Sequence, residues 1–165
     1  ARNRGIRLSL NLSVQQFHQT DVAQELIELC REHRFTPAYL CAELTESVVA
    51  KDIKLVRQKL ALLNEAGIQV AIDDFGTGYS SLSYLSDLPI DILKIDKSFT
   101  DQVTQQHTEY PLVDSIIFMA QQLKKTIVVE GIEEQIQHDY FNQRGCQYLQ
   151  GFKFYKPMPL HDLPF

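Results

Sequence analysis

Val70-Ala71-Ile72-Asp73-Asp74-Phe75-Gly76-Thr77-Gly78-Tyr79-Ser80-Ser81 is an apolar run that ends in two adjacent carboxylates and opens into a glycine-spaced, hydroxyl-rich turn. Val70 to Ile72 reads as a buried parallel strand, because a strand covered on both faces need not alternate apolar and polar residues. Two carboxylates at its end are costly to bury unless something positive or hydrogen-donating meets them. Oxygen ligands suit hard ions such as Mg²⁺ or Mn²⁺. A lone Asp-Asp at a strand end is more simply explained as one helix cap and one solvated side chain. The rest of the chain argues otherwise.

Working outward, strand-like and helix-like segments alternate along all 165 residues. Strands are predicted at Ile6–Asn11, Tyr39–Thr45, Gln69–Asp73, Ile92–Ile95, Thr126–Val129 and Gln147–Gln150. Between them, apolar residues recur at helical spacing. Val22, Leu26, Ile27, Leu29 and Cys30 form one such face and Ile53, Val56, Leu60 and Leu63 a second. Leu112, Val113, Ile116, Ile117, Ala120 and Leu123 form a third. Short helices are predicted at 80–85 and 134–141, and the charges between Lys51 and Lys59 read as a solvated helix face. Six strands joined by crossovers place successive strands in parallel. An open doubly wound sheet and a (β/α)8 barrel both fit. A full barrel takes about 250 residues, so the barrel reading implies an N-terminally incomplete one, and the immediate entry into a strand favours it.

Polar residues then recur at one level. Asn11, Glu43, Asp73 with Asp74, Lys94, Glu130 and Gln150 each stand at the carboxyl end of a different predicted strand. In a barrel those ends converge on the face that carries chemistry. Each has a dull alternative as a turn, cap or solvated residue, but six strand ends agreeing by accident is a poor explanation. Four carboxylates, an amide oxygen and a lysine can hold two divalent cations. Such a pair, about 3.5–4 Å apart, activates a water and clamps the oxygens of an in-line phosphoryl displacement. Lys94 adds a point charge beside the phosphate. His18, His33, His107, His138 and His161 lie off the strand ends, which disfavours a zinc hydrolase.

The bulk composition agrees with one ordinary globular domain. A formal charge of −5 argues against a surface for indiscriminate DNA or anionic-membrane binding, though not against a small nucleotide met by metal ions. Cys30, Cys41 and Cys146 show no metal-finger or redox spacing and read as buried free thiols in a reducing compartment. No apolar stretch is long enough to span a bilayer, and no signal peptide opens the chain.

Several motifs in order resemble the EAL-domain phosphodiesterases, which hydrolyse the bacterial second messenger cyclic di-GMP. They are Leu10-Asn11-Leu12-Ser13, Glu43-Leu44-Thr45-Glu46-Ser47, Asp73 to Leu82, Leu93-Lys94-Ile95-Asp96-Lys97-Ser98-Phe99, Val129-Glu130-Gly131-Ile132-Glu133, Gln150-Gly151-Phe152 and Lys156-Pro157-Met158-Pro159. The resemblance covers essentially all of residues 1–165, as the C-terminal larger part of such a domain. It implies a TIM-like barrel with one antiparallel strand, two Mg²⁺ or Mn²⁺ ions per site, and the linear dinucleotide 5′-pGpG as product. Asn11, Glu43, Asp73, Asp74 and Glu130 are its implied metal ligands. Lys94, Glu130 and Gln150 are its implied catalytic groups, with Glu130 a further ligand or general base. Glu46 is implied to hold a loop, Phe75, Gly76, Thr77, Gly78, Tyr79, Ser80 and Ser81, that serves substrate binding and dimerisation. A homodimer, regulatory or sensory domains outside this chain, and a place in the bacterial cytoplasm or on the cytoplasmic side of the inner membrane are further implications.

The Glu-Ala-Leu string that names the family is absent, and Ala42-Glu43-Leu44 is a different motif. Its glutamate, a further ligand, would lie on a strand before Asn11, so this piece alone is expected to hydrolyse poorly. Val129 stands where the family usually has alanine and Glu134 where threonine is common. Two other readings stay open: a non-catalytic cyclic di-GMP receptor or interaction scaffold, and another phosphoryl-transfer barrel with the same metal logic.

Overall fold

The computed structural model describes residues 6–19, 21–77, 85–105 and 109–163. Six strands form one sheet: β1 (Leu8–Leu12), β2 (Leu40–Thr45), β3 (Gln69–Phe75), β4 (Ile92–Ile95), β5 (Thr126–Val129) and β6 (Tyr148–Leu149). Their spatial order is β1-β2-β3-β4-β5-β6, and every neighbouring pair is parallel. The antiparallel strand implied by the family resemblance is therefore not among the described strands.

That order decides between the two architectures. A doubly wound sheet reverses its strand order partway to place helices on both faces. Here the order never reverses, so the crossovers cover one face. Laid flat, β1 and β6 would stand about 24 Å apart at the usual strand spacing. Instead Arg7 and Ser9 at β1 and Tyr148, Leu149 and Gln150 at β6 line a single cavity of about 460 Å³. The sheet is curled, an arc of a TIM-like (β/α) barrel with its two edge strands facing each other across the mouth.

Among the described residues, seven α-helices connect the strands: α1 (Val14–Gln19), α2 (Val22–Glu32), α3 (Glu46–Lys51), α4 (Ile53–Glu65), α5 (Lys97–Thr100), α6 (Pro111–Gln122) and α7 (Gln135–Gln143). Of these, α1, α3 and α5 escaped the sequence reading, being too short to show a period. The span Lys51–Lys59 is not one solvated face. Asp52 ends α3 and caps α4, its Oδ1 accepting from the Lys54 and Leu55 amides at 3.1 Å each. Lys59 turns inward and donates from Nζ to the Phe17 carbonyl at 2.6 Å. The short helix expected at 80–85 falls largely outside the described residues, and Leu85–Asp87 is a turn.

Strand alternation sorts the residues into two cores. Outward residues Ala42, Leu44, Val70, Ile72, Leu93, Ile95, Ile127 and Val129 pack under the helices against Phe17, Leu60, Leu63, Val113 and Phe141. Inward residues Cys41, Ala71 and Ile92, with Val128 against them, form a small separate floor inside the arc. The three cysteines are free and buried. Truncating Leu93, which is 1% exposed, to alanine should lower stability by about 2–5 kcal/mol in chemical denaturation. Phe118→Ala on the exposed face of α6 should stay within about 0.5 kcal/mol of the parent.

Candidate active site at the strand ends

Above the apolar floor the inward side chains turn polar. Asn11 stands in register with Glu43, Ala71 also faces Glu43, and Asp73 lies two residues beyond Ala71 on the same side. Lys94 stands in register with Val128, and Glu130 lies two residues beyond that. A period of two thus carries one polar layer around the arc.

Lys94 is the centre of this layer. It is 5% exposed, and its ammonium lies 2.7 Å from Glu43 Oε2, 3.0 Å from Asp73 Oδ1 and 2.8 Å from Glu130 Oε1. Burial alone would lower its pKa, but the hydrogen bonds it donates to Glu130, Glu43 and Asp73 outweigh this and the ammonium's pKa is held above its ordinary value. The three carboxylates thus favour the charged form of Lys94. The pKa of Glu130 is raised as well. Burial raises its pKa, and the Lys94 bond only partly offsets this against the charges of Asp73 and Glu43. The two directions agree physically, because one ammonium serves three carboxylates and each carboxylate has only a share of it.

Asp74 belongs to the site for a different reason. Adjacent strand residues face opposite sides, so Asp73 and Asp74 should diverge. The β3–β4 register shifts between Ile72 and Phe75, and Asp74 takes φ 53°, the left-handed region that aspartate tolerates better than most residues. Carboxylate oxygens of Asp73, Asp74 and Glu130 consequently all lie within 4.8 Å of one another. Burial, then the nearby charges of Asp73 and Asp96, raise the Asp74 pKa.

The turn beyond Asp74 is tied down. Thr77 donates from Oγ1 to the Asp74 carbonyl at 2.8 Å, and the Gly76 amide donates to Glu46 Oε2 at 3.4 Å. Gly76 has φ 95°, and a Cβ there would stand 2.9 Å from the Phe99 ring. Glu46 itself is buried at the start of α3, away from the ammonium. Phe75 is buried under the strand, and Gly78, Tyr79, Ser80 and Ser81 lie outside the described residues. Gln150 lines the cavity with Glu43 and Lys94, while Asn11 is exposed on the edge strand.

Sequence reasoning passed over two members of this neighbourhood. Asp96 lies two residues beyond Lys94, a spacing that could have exposed it. It caps α5 by accepting from the Ser98 amide at 3.0 Å, and these local bonds overcome burial to lower its pKa. Cys41 lies beneath Glu43, and burial with the charge of Glu43 pushes its thiol up to about 12, so it is inert.

The donor set fits hard cations. One ammonium cannot neutralise Glu43, Asp73, Asp74 and Glu130, and clustered carboxylates with amide oxygens nearby are the ligands Mg²⁺ and Mn²⁺ select. Fold and site together define a (β/α) barrel with a cluster of carboxylates around one ammonium at the carboxyl ends of its strands.

The EAL domain model matches residues 1–157, and the chain belongs to that family. It is 39% identical over 155 residues to a probable cyclic di-GMP phosphodiesterase, PdeB, of Escherichia coli, covering 94% of this chain and 29% of that protein. The PaMucR phosphodiesterase in complex with c-di-GMP superimposes with a TM-score of 0.88 at 35% identity, over 94% of this chain and 63% of that one. The Klebsiella pneumoniae BlrP1 manganese/cy-diGMP complex at pH 9.0 gives a TM-score of 0.78 at 30% identity, over 89% of this chain and 38% of that one. The chain spans under a third of the length of the curated relatives it matches. Among the described residues, no helix is long and apolar enough to cross a membrane.

Two outcomes follow from the charge balance. Lys94→Met should lower the stability of the chelator-treated protein by about 3 kcal/mol, because one buried and two half-buried carboxylates lose their counter-charge, and millimolar Mn²⁺ should recover part of it. A raised carboxyl pKa stabilises the fold below its unfolded value and loses that contribution as pH rises through the folded value. In chelator, unfolding midpoints of the parent should therefore fall relative to Glu130→Gln as pH rises from the ordinary glutamate range toward neutrality.

Proposed function

We propose that this chain is the larger part of a metal-dependent phosphodiesterase domain that opens cyclic di-GMP to linear 5′-pGpG. The observation that carries the reading is the Lys94 ammonium among Glu43, Asp73 and Glu130, with Asp74 folded in beside them. Asn11, Glu43, Asp73, Asp74 and Glu130 would hold two Mg²⁺ or Mn²⁺ ions. When bound, these supply Lewis acidity at the phosphate and at the attacking water.

The chain's own groups do the remainder. Lys94, held protonated, donates to a phosphoryl oxygen as negative charge develops there. Glu130, whose carboxylate lies beside Lys94 and whose pKa burial raises, accepts the proton of the attacking water. Gln150 orients that water from the neighbouring strand end. The water oxygen bonds to phosphorus, the bond from phosphorus to the 3′-oxygen breaks, and the 3′-oxygen takes the proton that Glu130 accepted and leaves as a hydroxyl. Glu46 holds the turn through the Gly76 amide and so fixes where Asp73 and Asp74 lie. The relatives' greater lengths support further regulatory or sensory domains around this one. A homodimer and a cytoplasmic setting, free or beneath a membrane sensor, complete the proposal.

The full-length protein carrying this chain should convert cyclic di-GMP to pGpG in the presence of Mn²⁺ or Mg²⁺, resolved by chromatography. Asp73→Asn should reduce turnover at least about a hundredfold with the fold retained, since volume is kept and a ligand charge is lost. Near-full activity in Asp73→Asn would overturn the metal assignment. Substrate returned unchanged but bound would make the chain a receptor instead.

A further inference from the structure

Glu130 stands at the end of β5, and the chain that follows it, Gly131 to Glu134, has no strand or helix of its own. Its amide donates to the Ile95 carbonyl at 3.0 Å, the last bond toward β4. Something else must hold the segment if Glu130 is to keep its place beside Lys94.

Two sets of ties do so from opposite sides. Toward β6, the Ile132 amide donates to the Gln150 carbonyl and the Lys153 amide to the Ile132 carbonyl, both at 3.0 Å. Gly151 lies so close to that backbone that a Cβ would stand 2.1 Å from the Ile132 oxygen. Toward β4, the side chain of Gln137 bridges two elements. Its Oε1 accepts from the Glu133 amide at 2.8 Å and the Glu134 amide at 2.9 Å, and its Nε2 donates to the Thr100 carbonyl at 3.2 Å. Lys97 adds a tie on the solvent side, its ammonium 3.0 Å from Glu133 Oε1 and 2.8 Å from Asp101 Oδ1. At 46% exposed, that ion pair holds little by itself. Gln137 is 5% exposed, and its amide has both ends satisfied inside the protein.

We propose that Gln137 is a positioning residue for Glu130. By locking the Glu133 and Glu134 amides to the end of α5, it fixes the 130–134 segment to the helix that follows the Lys94 strand. The distance from the Glu130 carboxylate to Lys94 and to Asp73 and Asp74 is set through that clasp. The inference rests on the reading of Glu130 as a ligand and proton acceptor.

The test uses the full-length protein with Gln137→Met, Lys97→Met and Glu130→Gln, read by amide hydrogen exchange and by Mn²⁺ titration. In Gln137→Met the amides of residues 130–134 should exchange at least about tenfold faster, while those of Thr126–Val129 keep their rates. Mn²⁺ affinity should fall about tenfold. Placed on Glu130→Gln, the same substitution should lower Mn²⁺ affinity no further. Lys97→Met, which removes only the exposed ion pair, should move exchange and affinity by less than about twofold. A fourth variant, Gln137→Glu, keeps the acceptor for the Glu133 and Glu134 amides but loses the donor to Thr100. It should move both in the direction of Gln137→Met, and it decides the matter if Gln137→Met does not fold. Unchanged exchange in a folded Gln137→Met protein would overturn the clasp, as would a loss of Mn²⁺ affinity that persists undiminished on Glu130→Gln. If the unsubstituted protein binds no Mn²⁺, the metal reading falls and the exchange rates alone decide the clasp.

Discussion

One buried ammonium shared by three carboxylates is the constraint around which the mouth of this barrel is arranged. Lys94 comes from β4, Glu43 from β2, Asp73 from β3 and Glu130 from the end of β5. Four strands must therefore keep their register and curvature for the charges to meet, and any strand that slipped by one residue would turn its member to the helix-covered face. The same arrangement leaves a surplus of negative charge. Clustered carboxylates of this kind are the ligands that hard divalent cations select.

The surrounding structure is concerned with holding short segments that have no ladder of their own. The turn after β3 is held by Glu46 through Gly76, and the segment after β5 by Gln137 on one side and the Gly151 backbone contact on the other. Buried polar side chains away from the ammonium, Glu46 and Gln137, both accept hydrogen bonds from loop amides next to a carboxylate of the site. This is how a barrel combines a rigid sheet with loops that carry chemistry: the strand supplies direction, and a satisfied buried acceptor supplies position.

Much of this was legible along the chain. The five longer strands lie within about two residues of where the sequence places them, β2 to β5 because a strand packed on both sides is apolar almost throughout and β1 because its residues alternate. The carboxylates and the lysine were visible because each ends such a run. Helices α1, α3 and α5 were not, since four to six residues make too little of a period to register. Nor was the inward turn of Lys59, whose charge alone reads as solvated until Phe17 is placed beneath it.

The sequence by itself determined which residues end the strands and that their chemistry suits hard cations, because side-chain type and a period of two are local properties. The choice between barrel and doubly wound sheet belonged to the tertiary structure, since strand order depends on which way each crossover returns. So did the convergence of Asp74 with Asp73. Neighbours on a strand point apart, and only the register shift between Ile72 and Phe75, with Asp74 at positive φ, brings both carboxylates to Glu130. The role of Glu46 was likewise decided there, because the Gly76 amide is 30 residues away along the chain. Gln137 caps its own helix locally, and only its reach to the Thr100 carbonyl needed the fold.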